Sequence, residues 1–106
     1  MTCRPAFLPE FEEKYNNIED TNFKKRVTEK IIMLCQHPLA NKTYGLHGDL
    51  IGKRSFWVTK NYRIIYAYCR FCRQSNHTQH NNCKDCPILA DETVVFFTLG
   101  PHEEVY

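Results

Sequence analysis

The sequence predicts an α+β fold in which an N-terminal strand and a helical hairpin pack on a mainly antiparallel sheet of three or four strands. Apolar residues recur at helical spacing in the first third of the chain, and segments rich in β-branched and aromatic residues fill most of the rest. The chain has 106 residues, of which 42% are hydrophobic. That length suits one modest core, so we expect residues 1–106 to form a single domain.

The N-terminal part predicts one strand and a first helix. The segment RPAFLP, residues 4–9, carries two prolines, which is typical of a short edge strand. Phe11, Tyr15 and Ile18 then recur at positions i, i+4 and i+7. This spacing places them on one face of a helix.

A second helix is predicted to begin at the capping segment DTN, residues 20–22. Its apolar stripe consists of Phe23, Val27, Ile31 and Leu34. The helix is expected to stop at His37, because the residue before a proline disfavours helical geometry and Pro38 follows.

The C-terminal part predicts strands at RSFWVTK (54–60), NYRIIYAY (61–68) and ETVVFFTLG (92–100), with HEEVY (102–106) as a short fourth. Within the first of these, Phe56 and Val58 share one side of a regular strand, which suits a core face. Trp57 could stack on a base or fill the core, and we expect the core.

A cysteine-rich insertion, residues 69–86, separates two of these strands. Two Cys-x-x-Cys turns are formed by Cys69 with Cys72 and by Cys83 with Cys86. Each turn can deliver two sulfurs to one ion, so we expect a tetrahedral zinc site. Four thiolates leave no open position for a reactive water. The zinc is therefore predicted to be structural, a clip that closes a polar loop, and zinc suits such a redox-silent clip better than iron.

Other cysteines and histidines have plainer interpretations. His77 and His80 could replace a cysteine ligand, but we expect them to be solvated loop residues. A redox-active dithiol is the weaker alternative, because neither Cys-x-x-Cys pair begins a helix. Cys35 is expected to be a core residue of the second helix, and Cys3, like Cys35, lies far from the insertion in sequence.

Charge and hydropathy restrict the function classes. The formal net charge is only +2, so overall charge does not indicate a nucleic-acid binder. Residues 53–63 nevertheless carry four cations and no acid, which can form a local basic patch. There is no apolar run long enough for a membrane span and no secretory pattern, so we expect a cytoplasmic protein without a membrane partner.

Two stretches of the chain resemble the RelE/ParE superfamily of bacterial and archaeal toxins. They are LHGDLIGKRSFWVTKNYRIIYAY and VVFFTLGPHEEVY, and the resemblance covers the chain except residues 69–90. It implies a toxin of a type II toxin–antitoxin system, with a microbial-ribonuclease-like architecture. RelE-type members cleave translated mRNA on the ribosome without a metal or small-molecule cofactor, and a cognate antitoxin protein neutralises them.

The resemblance also implies site residues. Arg63 matches the arginine of the family's Tyr-Arg strand, a phosphate clamp. His102 matches a position used for phosphate contact or acid–base work, and Tyr106 matches the closing tyrosine, although here it ends the sequence. Arg54 is expected to assist catalysis, and two lysines of the basic strand are expected to bind RNA: Lys60 and Lys53.

Each of these residues also has a purely structural interpretation, as a surface arginine, a loop histidine or a packing tyrosine. At the level of function, one alternative is a ParE-like toxin that inhibits a DNA topoisomerase and cuts no RNA. Others are a degenerate toxin and a zinc-containing binding module, for which Arg70, Arg73 and Lys84 would supply an RNA-docking surface.

Overall fold

The computed structural model describes residues 3–38, 43–45, 53–59, 61–70 and 92–101. Within them lie two helices and a five-stranded sheet. The helices are α1 (Pro9–Asn16) and α2 (Thr21–Gln36). The strands are β1 (Arg4–Phe7), β2 (Thr43–Gly45), β3 (Arg54–Trp57), β4 (Tyr62–Tyr68) and β5 (Thr93–Pro101).

The strand order is β1-β5-β4-β3-β2. Neighbouring strands are antiparallel except β1 and β5, which are parallel, so the sheet is mainly antiparallel as expected. The N-terminal strand lies at one edge, where its prolines leave no central ladder unsatisfied. The short strand β2 at the other edge was not predicted, and the expected strand at 102–106 falls outside the described residues.

The helices follow the predicted pattern closely. The side chain of Asp20 accepts a hydrogen bond from the backbone N–H of Phe23 and caps α2. The helix ends at Gln36 with His37 as its C-cap, next to Pro38. The first helix ends at Asn16. Ile18 therefore packs against the core from the following turn and not from the helix.

One face of the sheet packs against the helices and forms the core. Val27, Ile31 and Leu34 of α2 meet Ile64 and Tyr66 of β4 in this cluster. It also contains residues from the start of α1 and from the other strands, among them Phe11, Phe56, Val58, Val94, Phe96 and Leu99. Tyr66 further donates a hydrogen bond to the carbonyl of Pro38, which ties β4 to the end of α2. The expectation that Phe56 and Val58 face the core is confirmed.

Candidate functional site

The register of β3 and β4 assigns each side chain to one of two faces. Directly paired residues of antiparallel strands share a face, and the faces alternate along each strand. Phe56 pairs with Ile64 on the helix-packed face. Two other pairs, Trp57 with Arg63 and Ser55 with Ile65, therefore lie on the opposite face, which we call the site face.

Trp57 is the accessible residue of this face. Ser55 and Ile65 are buried there, whereas 48% of Trp57 is exposed. The expectation that Trp57 fills the core is therefore wrong. Alternation could have shown this from the sequence, because a strand that turns Phe56 and Val58 into the core must turn Trp57 the other way.

Arg63 lies against the indole ring of Trp57. The central carbon of its guanidinium is 3.9 Å from the ring centroid. One terminal nitrogen donates a 2.9 Å hydrogen bond to the backbone carbonyl of Thr59, in the turn that joins β3 to β4. Only 6% of Arg63 is exposed. The ring and the turn thus hold the guanidinium in one orientation.

A glycine lies beside Arg63 on the neighbouring strand. Gly100 pairs with Arg63 and has a φ of 154°, a backbone conformation that favours glycine. Because glycine has no side chain, the paired position on β5 does not cover the guanidinium. The strand ends one residue later at Pro101, and His102 follows directly in the chain.

Arg54 does not share the site face with Arg63. It pairs with Tyr66, a residue of the core cluster, and so has the parity of the helix-packed face. The structure therefore does not bring the two expected catalytic arginines together. A one-residue change of parity is enough to separate them, even though they were expected to act at one site.

Lys53 does reach the site face. Its ammonium lies 4.8 Å from the ring centroid of Phe97. Both residues line a pocket of 430 Å³ together with Ile65 and with the first turn of α1, including Glu10. The β4–β5 register shifts between Ile65 and Tyr66, and this irregularity leaves Phe97 without a directly opposed residue on β4. Sequence inspection gave no signal for this pocket, because it depends on the bulge.

The first helix supplies another cation that sequence analysis missed. The Nζ atom of Lys14 donates a 2.9 Å hydrogen bond to the hydroxyl of Thr98, which pairs with Ile65 of the site face. Lys14 lies in a segment whose sequence is acidic, so charge inspection along the chain did not indicate it. The described cations bordering the site face are therefore Lys14, Lys53 and Arg63.

Several predicted site residues lie outside the described residues. These are the RNA-binding candidate Lys60, the acid–base candidates His102 and Tyr106, three of the four predicted zinc ligands (Cys72, Cys83 and Cys86), and the loop histidines His77 and His80.

The two ends of the cysteine insertion are joined. Tyr68 pairs with Val94 at the end of the β4–β5 ladder, and Arg70 forms an ion pair with Glu92. Hydrogen bonds to Tyr68 and then to Glu92 raise the pKa of Arg70 above its usual range, so it stays charged. The buried Cys69 lies between these two links. Arg70 is thus engaged in closing the base of the loop.

No helix among the described residues is long and apolar enough to cross a membrane. By sequence, neither a protein-family profile nor a curated protein matches the chain.

Solved structures do match. The YoeB/ParE toxin from Agrobacterium tumefaciens superposes with a TM-score of 0.67 over 93% of this chain and 98% of that chain, at 14% identity. The toxin–antitoxin complex RelBE2 from Mycobacterium tuberculosis gives 0.65 over 95% and 99%, at 16% identity. A YafQ mutant from E. coli gives 0.63 over 98% of both chains, at 13% identity.

Proposed function

We propose that this chain, which has the RelE-like toxin fold, is the toxin of a type II toxin–antitoxin system and cleaves translated mRNA on the ribosome. The observation that carries the proposal is the arrangement of Arg63 between Trp57 and the side-chain-free Gly100 on the sheet face opposite the helices. A guanidinium next to an aromatic ring offers two kinds of contact that RNA needs, one for phosphate and one for a base.

The proposed reaction is attack of a ribose 2′-hydroxyl on the adjacent phosphorus, with departure of the 5′-oxygen of the next nucleotide. A base must take the proton of the 2′-hydroxyl, an acid must protonate the leaving oxygen, and cations must stabilise the charge that gathers on the phosphate. We assign the phosphate contact to Arg63 and proton transfer to His102, with Tyr106 as the second proton-transfer candidate.

The burial of Arg63 sets a condition on RNA binding. Because only 6% of the side chain is exposed, its guanidinium must turn away from the indole before it can hold two phosphate oxygens. A base stacked on Trp57 would take the vacated position. The lost cation–π contact, worth about 0.5–2 kcal/mol, is offset by base stacking, worth about 1–3 kcal/mol.

Lys53 and Lys14 are assigned to RNA binding beside this centre. Lys53 precedes β3 and Trp57 ends it, so about 13 Å of extended chain separates them. Two cations at that separation can contact different phosphates of one strand. We assign no step to Arg54, whose parity is that of the other face; Lys60 stays an RNA-binding candidate from the sequence.

The test is induction of this chain in cells, with cut sites in mRNA mapped by primer extension. Growth arrest with cuts in translated messages should be lost in Arg63→Ala and His102→Ala. Arg26→Ala, an exposed arginine on α2, is the matched control and should keep both. Arrest without cuts would overturn the ribonuclease proposal in favour of a topoisomerase inhibitor. No arrest from a folded chain would favour a degenerate toxin or a binding module.

We further propose a structural zinc ion bound by Cys69, Cys72, Cys83 and Cys86. The support from the structure is that the β4–β5 ladder and the Arg70–Glu92 ion pair bring the ends of the insertion together, as a closed metal loop requires. Zinc would add a link across the loop and take no part in RNA cleavage. Elemental analysis should give one zinc per chain, reduced strongly in Cys83→Ser; a metal-free native chain would overturn this assignment.

The antitoxin is proposed to bind an apolar groove between α1 and α2. Phe7 and Ile32 are large apolar residues exposed at this groove, 38% and 52% respectively, and Phe11 lies at its base. Exposed apolar surface of this kind suits an apolar segment of a partner. Co-expression of the protein encoded next to this chain should rescue growth. Rescue should fail with Ile32→Asp and persist with Glu29→Lys, a charge change on an exposed residue of the same helix.

A further inference from the structure

Two buried thiols meet where the first strand begins and the second helix ends. The backbone N–H of Cys3 donates a 2.7 Å hydrogen bond to the carbonyl of Cys35. That carbonyl belongs to the last turn of α2, where the helix supplies no partner of its own. Both side chains are buried in the core cluster. Residues far apart in sequence are thus held side by side.

The hydrogen bond limits the distance between the two residues. Adding the covalent bonds on either side of the 2.7 Å contact gives a Cα–Cα separation of less than about 7 Å. Disulfides usually span roughly 4.4–6.8 Å between Cα atoms. The two thiols also affect each other directly. Burial, and in addition the charge of a Cys3 thiolate, raises the pKa of Cys35.

We propose that Cys3 and Cys35 form a redox-sensitive dithiol that a low-molecular-weight disulfide, such as glutathione disulfide, converts into an intramolecular disulfide. This modification is separate from the proposed zinc site and does not depend on the proposed RNA cleavage. In a reducing cytosol the thiols would remain reduced, and the bond would form on oxidative exposure and be reversed by thiols afterwards.

The exchange takes place in two steps. The thiolate of Cys3 attacks one sulfur of the small disulfide and releases one molecule of thiol, which leaves a mixed disulfide on Cys3. The thiolate of Cys35 then attacks the Cys3 sulfur and releases the second thiol. In total, the two protein thiols lose two protons and two electrons, and one small disulfide is reduced to two thiols.

The position of Cys3 makes it the residue that reacts first. It immediately precedes β1, an edge strand of four residues that pairs only with β5 and is mostly exposed. Such a strand opens locally more readily than the central strands do. Cys35 lies within α2, and its raised pKa keeps it largely protonated at neutral pH. The second step should therefore accelerate as the pH rises.

The first test is a peptide map of the unmodified full-length chain. The chain is equilibrated with glutathione mixtures of increasing oxidised fraction, quenched by alkylation and digested with trypsin. Cys3 and Cys35 fall in peptides 1–14 and 31–42, whereas the cysteines of the insertion fall in other peptides. In the oxidised mixtures the linked pair should exceed the separately alkylated peptides at least tenfold, and dithiothreitol should restore the separate peptides.

A second measurement reports what the bond does to the fold. Linking β1 to the end of α2 restricts the unfolded chain, so the midpoint of thermal unfolding should rise by more than about 5 °C on oxidation. The rise should be absent in Cys35→Ser and Cys3→Ser. Separate alkylation of Cys3 and Cys35 in every mixture, or linkage of either one to a cysteine of the insertion, would overturn the proposal. Because the peptide map uses the native sequence, its result does not depend on whether a variant folds.

Discussion

Replacing Trp57 tests the proposed exchange of a guanidinium for a nucleobase. The indole is 48% exposed and contacts Arg63 at 3.9 Å. Trp57→Ala removes the stacking surface, whereas Trp57→Phe keeps a smaller ring at the same place. Both changes lie on an exposed part of the sheet, so the core should fold normally. Circular dichroism and the thermal midpoint check this.

The expected magnitude follows from the two contacts that are exchanged. Base stacking contributes about 1–3 kcal/mol, and breaking the partly exposed cation–π contact costs about 0.5–1 kcal/mol. The net contribution of the ring to RNA binding is then about 0.5–2 kcal/mol. This corresponds to a roughly 2- to 30-fold weaker dissociation constant for Trp57→Ala. For Trp57→Phe the loss should remain at the lower end of that range.

The assay uses the fact that the chain contains one tryptophan. A short RNA methylated on every 2′-oxygen cannot be cleaved, and at low ionic strength its binding to the chain is strongest. Tryptophan fluorescence and the anisotropy of a dye on the RNA are recorded in the same titration. We expect the fluorescence to be quenched with the same midpoint as the anisotropy. Ile32→Ala, an exposed apolar change on α2, should leave both curves unchanged.

One result would refute the exchange. If anisotropy shows saturable binding while the fluorescence of Trp57 stays constant, and Trp57→Ala binds with unchanged affinity, no base stacks on this ring. RNA cleavage could then still depend on Arg63 and His102, because their variants are tested separately in cells. The stacking hypothesis and the proposed ribonuclease function therefore fail independently.

Three further outcomes are expected. Gly100→Val should lower the free energy of unfolding by about 1–3 kcal/mol in urea denaturation, because its positive φ disfavours a β-branched residue; unchanged stability would contradict this. Lys14→Ala should weaken RNA binding and reduce its salt dependence, whereas the exposed Lys25→Ala should not. The raised pKa of Cys35 means that the folded chain holds this proton more tightly. Its contribution to stability is complete below the ordinary pKa of about 9 and falls as the pH rises through the folded value, a decline that Cys35→Ala should lack.

The elements of the fold could be predicted because local signals determined them. Asp20 and Pro38 define α2 at both ends, and the β-branched and aromatic runs of β4 and β5 are long. The strand β2 has three residues, too few for any periodic signal. The parallel pairing of β1 with β5 joins opposite ends of the chain, and no local pattern encodes such a long-range contact.

The site was less predictable because it depends on which face each side chain takes. Arg63 was identified from a motif, and its contacts suit the expected role. Arg54 and Trp57 were assigned to the wrong sides of β3, although their parity was already given by Phe56. Lys14 and Phe97 gave no signal at all. Their positions depend on where α1 passes β5 and on the bulge in that strand.

The two faces of the sheet therefore carry different constraints on the chain. On the helix-packed face, Ile64 and Tyr66 are fully buried, and truncating such side chains typically costs about 2–5 kcal/mol. On the site face, the neighbouring residue Arg63 is held by Trp57 and by Thr59, contacts that contribute much less. Residues that alternate along one strand can thus serve stability and RNA contact separately. Substitutions of Trp57 should change RNA binding without unfolding the domain, which is the condition that makes its fluorescence a usable measure of the proposed site.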